Sequence, residues 1–326
     1  MKTLFVTGLF LLTTSFLLGQ TKIDDVINVK DVNGIEKTLS SDEMRGRKIF
    51  TPDIDKAADF IASEFKKIGL ESLQPATGRV ANDSDVYRQK FTVGSAHPRQ
   101  LTNVVGVLPG KSRKEEYVIF SAHYDHLGIG KAVNGDSIYN GANDDASGVT
   151  AVIMLAKYFK TLDNNERTIV FAAFTGEEVG GLGSSYFSKQ FDPNKVVAMF
   201  NIEMIGTESK WGKNSAYITG YDKTDMGPIL QQNLEGTGFT FYPDPYTAEN
   251  LFYRSDNATL ARLGVPAHTI STSKMDNEPN YHQLSDQAET LDMDNMTMII
   301  RSIGISSKTI IAGDSTPTRV KTEDLR

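Results

Sequence analysis

The 326-residue chain contains no cysteine. Disulfides are therefore excluded as a source of stability, and thiolates are excluded both as nucleophiles and as metal ligands. Stability has to come from a core or from bound metal. A sequence-wide basic field is missing as well. Lys and Arg number 34 against 41 Asp and Glu, and the net charge of −7 argues against nucleic acid as a partner. Only one long apolar run occurs, Leu4 to Leu18, with Lys2 before it and Gly19 and Gln20 after it. Thr7, Gly8, Thr13, Thr14 and Ser15 dilute it below the about twenty apolar residues that a membrane span needs. It reads as a secretory signal peptide over residues 1–20, cut near Gly19 or Gln20. The expected mature protein, residues 21–326, is soluble, periplasmic or secreted, and not stably inserted in a membrane. Repeats, low-complexity blocks and linker-like shifts in composition are absent, which favours one domain over two.

What is present suggests alternating strands and helices. Thr51-Pro52-Asp53 marks a helix start, Ile54, Ala57, Ala58, Ile61, Ala62, Phe65 and Ile68 recur at helical spacing, and Gly69 ends the run. Residues 72–100 are polar and irregular, with one strand expected around Tyr87 to Val93. Short β-branched and apolar runs follow at Asn103–Leu108, Tyr117–Ser121, Thr168–Phe174 and Val196–Ile202, as buried strands should. Val149, Val152, Leu155, Ala156 and Phe159 mark a helix between two of them. Asp225–Gly236 is expected as helix, Pro266–Thr272 as strand, Leu291–Ile311 as one long helix, and the last ten residues as a fraying tail. The order predicts an α/β fold, a three-layer sandwich whose central sheet is mixed but largely parallel, with helices on both faces. Sites in such sheets collect at the carboxyl ends of the strands.

Five segments carry candidate chemistry. The strand at Tyr117–Ser121 runs into His123-Tyr124-Asp125-His126, where a histidine at a strand end with a carboxylate two residues on suits a metal ligand and its orienting acid; His126 takes no role in this reading. Asn143-Asp144-Asp145 enters a helix, and two adjacent acids exceed what capping requires, so one of them can bridge two cations. Glu177-Glu178 lies between a buried strand and a glycine-rich loop, where one acid can bind metal while its neighbour handles protons. Glu203 closes another apolar strand, a costly place for an unpaired charge. His282, with Asp286 downstream, sits in a loop. Four of the five are expected just beyond strand ends.

In order and local sequence these segments, spanning roughly Leu39 to Leu291, resemble the co-catalytic two-zinc exopeptidases, which include secreted bacterial leucyl aminopeptidases, glutamate carboxypeptidase II and the peptidase-like domain of transferrin receptor. The resemblance implies that His123 and Glu203 bind one zinc, Glu178 and His282 bind a second, and Asp144 bridges the two. It implies Glu177 as general base, Asp125 as the residue orienting His123, and Asp286 in support near His282. The implied substrates are peptides, losing N-terminal residues to metal-activated water, within a single catalytic domain over 21–326 that has no inserted protease-associated domain. The acidic composition agrees, because two zinc ions bring four positive charges.

Two positions depart from the pattern. Glu203 stands where the family's aminopeptidases usually have Asp, which leaves a carboxypeptidase or dipeptidase as the alternative. Asn257 replaces a histidine after Ser255-Asp256, and that segment also reads as a capped helix followed by a turn. A glutaminyl cyclase, a transferase with one zinc on a related fold, and a non-enzymatic binding protein are further alternatives; the paired acids at 144–145 and 177–178 favour hydrolysis over the first, and a competent side chain at every expected ligand position argues against the second. His97 and His268 read as structural.

Overall fold

The computed structural model describes residues 22–73 and 83–325. Residues 1–20, the segment read above as a signal peptide, lie outside them. The described chain opens with helices α1 (Ile23–Val26), α2 (Val29–Leu39) and α3 (Pro52–Ile68), then strands β1 (Glu71–Ser72), β2 (Arg88–Val93), β3 (Arg99–Leu108) and β4 (Arg113–His123). A hairpin of β5 (Gly128–Val133) and β6 (Asp136–Tyr139) leads to α4 (Ser147–Leu162) and β7 (Arg167–Phe174). The order continues through α5 (Leu182–Ser188), β8 (Val196–Ile202), β9 (Ser215–Ile218), α6 (Met226–Asn233), β10 (Thr240–Pro243), α7 (Asn257–Ala261), β11 (Ala267–Ser271), α8 (Met293–Ser306) and α9 (Lys308–Ile311).

The main sheet runs β1-β3-β7-β4-β8-β11-β9-β10, with β2 also pairing β3. Its centre, β7-β4-β8-β11, is parallel, and the antiparallel pairs lie toward the edges. Every residue of β7 and β8 is buried, as expected of strands covered on both faces. Alternate residues feed two cores. Val118, Phe120, Ile169, Phe171, Ala198 and Phe200 join the helices α2, α3, α4 and α8 on one side, while Ile119, Val170, Ala172 and Met199 join α7 and the region around Phe187 on the other. Phe120 stacks on Phe200, Phe159 and Phe171 at centroid distances of 4.8, 5.5 and 5.8 Å, fixing α4 over the parallel strands.

The predicted sandwich is present, and the structure adds to or alters some of the expected elements. Thr51 does occupy the N-cap position of α3, but its hydroxyl donates to Lys48 O rather than capping, while Gly69 closes the helix in the left-handed conformation at φ 78°. The helix expected over Leu291–Ile311 is broken between Ser306 and Lys308, where the hydroxyls of Ser306 and Ser307 turn back on the carbonyls of Ile303 and Gly304 and compete with the helical ladder. The tail does not fray as expected over its whole length, since Val320 is buried and Arg319 donates to Val196 O at 2.8 Å. No helix among the described residues is long and apolar enough to cross a membrane.

Candidate metal centre

The carboxyl edge of the parallel strands gathers the candidate residues. His123 is the last residue of β4, Glu203 follows β8 directly, and Glu177 and Glu178 lie in the turn after β7. Asp144 and His282 come from elsewhere, the first from the entry to α4 and the second from the irregular stretch between β11 and α8. Three of the five segments therefore sit just past strand ends, one fewer than expected.

Asp144 lies at the centre. Its Oδ1 is 3.1 Å from His123 Nε2, and its Oδ2 is 3.2 Å from His282 Nε2. His282 Nε2 is also 3.2 Å from Glu178 Oε2. Two groups result, His123 with Asp144 and Glu203, and Asp144 with Glu178 beside both His126 and His282. The paired aspartates differ in their hydrogen bonds. Asp145 turns away, its Oδ1 accepting from Gly148 N at 3.0 Å and Met204 N at 3.1 Å, so it ties the start of α4 to the residue after Glu203. A Cβ at Gly148 would fall 2.4 Å from its carboxylate, so only glycine fits there. The peptide joining Asp144 to Asp145 is cis.

The supporting acids differ in role from the reading of the sequence. His123 Nδ1 lies 3.1 Å from the Asp125 carbonyl and 3.8 Å from its carboxylate, so the backbone of Asp125, not its side chain, orients the imidazole. The Asp125 carboxylate instead accepts from Gly176 N at 2.7 Å and Glu177 N at 3.1 Å, and thereby fixes the turn that presents Glu177. Asp286 supports Asp144 rather than His282, accepting from Asn143 N at 2.8 Å and Asp144 N at 3.1 Å. Asn257 anchors the start of α7, donating to the carbonyls of Phe252 and Ala267, so this residue is structural. His268 is structural too, bonded to Thr219 O and Thr224 Oγ1 at 2.8 Å each. His97 is exposed, away from the buried candidates.

Two residues with no part in the reading above belong here. His126 is buried, with Nδ1 2.9 Å from Glu178 Oε1. Arg47, fully buried ahead of α3, donates to the carbonyls of Leu39, Tyr124, Asn140 and Gly141 at 2.6 to 2.8 Å. It joins the loop after His123 to the loop before Asp144. The nearest signal in the sequence is an arginine flanked by glycine and lysine, which looks like surface.

The electrostatics are those of acids crowded out of water. Burial pushes Glu177 up to about 10, with the charges of Glu203 and Asp256 adding to the effect, and burial with the charge of Asp144 takes Glu203 to about 7. Burial acts against the charged form of Glu178 too, but His126 and His282 hold it down at about 2. For Asp144, burial is overcome by His123 and His282, and its carboxyl stays well below the usual range.

Among the buried polar atoms at the centre that have no hydrogen-bond partner are His123 Nε2, His126 Nε2, Asp144 Oδ2 and Glu203 Oε2. Orphaned donors and acceptors cost free energy unless something else binds them. Their spacing answers what. Two ligands each about 2.0 Å from one tetrahedral ion lie about 3.3 Å apart, close to the 3.1 and 3.2 Å separations around Asp144. Imidazole and carboxylate together suit zinc. A cleft of about 530 Å³ opens beside these atoms, walled by Glu177, Tyr217, Arg254, Met275 and Tyr281 among others.

The chain belongs to Peptidase family M28, whose sequence model matches residues 103–304. Among its relatives, a probable leucine aminopeptidase of Trichophyton verrucosum is 30% identical over 204 residues, 60% of this chain and 53% of that protein. The chain spans about half the length of that relative and less of others that it matches. By structure it is similar to the LapA aminopeptidase of Legionella pneumophila, with a TM-score of 0.68 at 18% identity over 96% of this chain and 80% of that one. It is as similar to a glutaminyl cyclase of Porphyromonas gingivalis, with a TM-score of 0.67 at 15% identity over 88% of this chain and 99% of that one. At such identities the likeness shows the fold.

Proposed function

We propose that residues 21–326 form one catalytic domain, a zinc-dependent exopeptidase that holds two zinc ions and removes N-terminal residues from peptides. The observation that carries this is Asp144, whose two oxygens each face a different histidine and so divide the centre into two positions. In this reading His123 and Glu203 hold one ion, Glu178 and His282 the other, and Asp144 both. Zinc so held supplies Lewis acidity, which polarises a carbonyl and lowers the pKa of water from ~15.7 toward ~7. Glu177, on the cleft wall and outside both ligand groups, would be brought back to its ionised form by the positive charge of the bound ions, and as a carboxylate takes the proton of the attacking water and passes it to the leaving amine. Asp125 acts through Glu177 by holding its backbone, as a positioning residue. The relatives named as aminopeptidase and zinc metalloprotease support the same reading.

A second reading, a carboxypeptidase or dipeptidase, is favoured by Arg254, a cation on the cleft wall suited to a terminal carboxylate, and by the longer reach of Glu203. Chromogenic aminoacyl anilides, N-blocked peptides and N-terminal glutaminyl peptides, each with and without a chelator, separate the outcomes. Cleavage of the anilides alone, abolished by chelation, is expected. Cleavage of blocked peptides selects the second reading, and cyclisation of glutaminyl peptides with one zinc per chain selects the transferase. Export, the role read for residues 1–20, is tested by whether the native host releases a form starting near residue 21.

A further inference from the structure

The assignment above gives no part to His126, although it is as deeply buried as any ligand in it. Its Nδ1 is 2.9 Å from Glu178 Oε1 in hydrogen-bonding geometry, whereas its 3.8 Å distance to Asp144 Oδ2 is too long for a bond. A carboxylate only accepts, so Nδ1 carries the proton. The other oxygen of Glu178 faces His282 Nε2 at 3.2 Å. The carboxylate is thus divided, Oε1 to His126 and Oε2 to the position shared with Asp144 and His282. We propose that His126 is a positioning residue that fixes the Glu178 carboxylate and so sets the zinc affinity of the position formed by Asp144, Glu178 and His282.

The imidazole can do this because it cannot swing. Gly141 holds φ +58°, and a Cβ there would fall 2.6 Å from His126 Cγ and Cδ2, so the ring lies against bare backbone. The His126 N–H donates to Arg47 O at 3.3 Å, while the Arg47 guanidinium grips Tyr124 O and Gly141 O at 2.8 Å each. Both the loop that carries His126 and the loop it packs on are therefore tied to one buried side chain. A free glutamate loses rotamer entropy when it binds a cation; one already held by a hydrogen bond has lost part of it beforehand. This position needs that help more than its neighbour does, because the His282 side chain is 34% exposed in an irregular loop, whereas His123 ends a buried strand with 1% exposed.

The proposal rests on the two-zinc reading, and the test keeps the two apart. Zinc affinity of the full chain is measured by competition with a chromogenic chelator, and zinc content by elemental analysis, for wild type, His126→Asn, His126→Leu and His126→Ala. Asn keeps an N–H near the Nδ1 position, Leu fills the space without one, and Ala removes the ring and adds no new contact. In His126→Leu and His126→Ala one zinc is expected to bind as in wild type and the other about 10- to 100-fold more weakly, with His126→Asn within a few-fold of wild type. Circular dichroism of the metal-free proteins checks folding, and His126→Ala decides the matter if His126→Leu does not fold. Unchanged affinity for both ions in the folded variants overturns the proposal. A loss in His126→Asn equal to that in His126→Leu also overturns it, because the imidazole itself would then be the ligand. A wild type that binds fewer than two ions overturns the two-zinc reading instead.

Discussion

Replacing Arg47 by Met tests how the centre is held. Four N–H groups of the guanidinium environment end on the buried carbonyls of Leu39, Tyr124, Asn140 and Gly141, at 2.6 to 2.8 Å. Hydrogen bonds from a charged donor contribute about 1.5–3 kcal/mol each, so the gross loss is roughly 6–12 kcal/mol. Against this stands the relief of no longer burying a cation, a cost visible in the way burial pulls the Arg47 pKa down. Removing one member of a buried polar arrangement costs about 3–5 kcal/mol net, and that is the expected destabilisation. Stability in total is about 5–15 kcal/mol for a domain, so the variant remains foldable but marginal. The assay is urea unfolding of chelator-treated protein at pH 7, for wild type, Arg47→Met and Arg47→Lys, followed by zinc titration of whatever folds. Lys keeps the charge without the planar fork and should fall between the other two. A loss below about 1 kcal/mol in Arg47→Met refutes the reasoning, because the four carbonyls would then have other partners. So does a large loss of stability with zinc affinity untouched, since the clamp would then hold the fold and not the loops that bear His123 and Asp144.

Glu177→Gln should lower turnover by about 10²- to 10⁴-fold while zinc content stays at the wild-type level, because it removes the proton carrier and no ligand; substantial residual activity would show that another group takes the proton. Glu178→Ala should lower zinc content, read by elemental analysis, and full retention of both ions would remove Glu178 from the ligand set. His268 is buried as a neutral imidazole, with Nδ1 donating to Thr219 O and Nε2 accepting from Thr224, and burial lowers its pKa to about 4. Since the unfolded chain binds the proton first, its contribution is present above about 6.5 and is lost as pH falls toward 4, by about 3 kcal/mol at most. His268→Gln should flatten the pH dependence of metal-free stability in that window, and a wild-type minus variant difference that does not change with pH contradicts this.

The sequence made the central strands legible because each is buried on both faces and so writes itself as an unbroken apolar run. Val196–Ile202 was predicted with the bounds observed, and Thr168–Phe174 to within one residue. The short strands β9 and β10 were missed: each has four residues and is flanked by polar loops, which is too little pattern to separate strand from coil. The hairpin β5–β6 was missed for another reason, since β5 is exposed over most of its length and carries no buried stripe. Helix α2 has a clear apolar face but begins in a polar stretch whose Asn28 cap is unremarkable as a letter. The candidates His123, Glu177, Glu178 and Glu203 are legible because each places an ionisable residue at or just past the end of an apolar strand.

The residues that hold those candidates in place were not legible, and the reason is distance along the chain. Asp286 reaches Asp144 across 142 positions, Arg47 reaches Gly141 across 94, and His126 reaches Glu178 across 52. A ligand is recognised by its type and its immediate neighbours, which a single sequence displays. An orienting group is recognised by what it touches, and the same letter is ordinary until the fold closes. Asp125 illustrates both cases in one residue. Its position two after His123 suggested that its carboxylate orients the imidazole, yet its own carbonyl is nearer to that nitrogen, and the carboxylate is spent on the Glu177 turn 52 residues on. Local spacing therefore identified the right residue for the wrong contact. Glu177 and His123 are thereby tied to one residue by different atoms, so replacing the Asp125 side chain frees the Glu177 turn while the backbone contact to His123 stays.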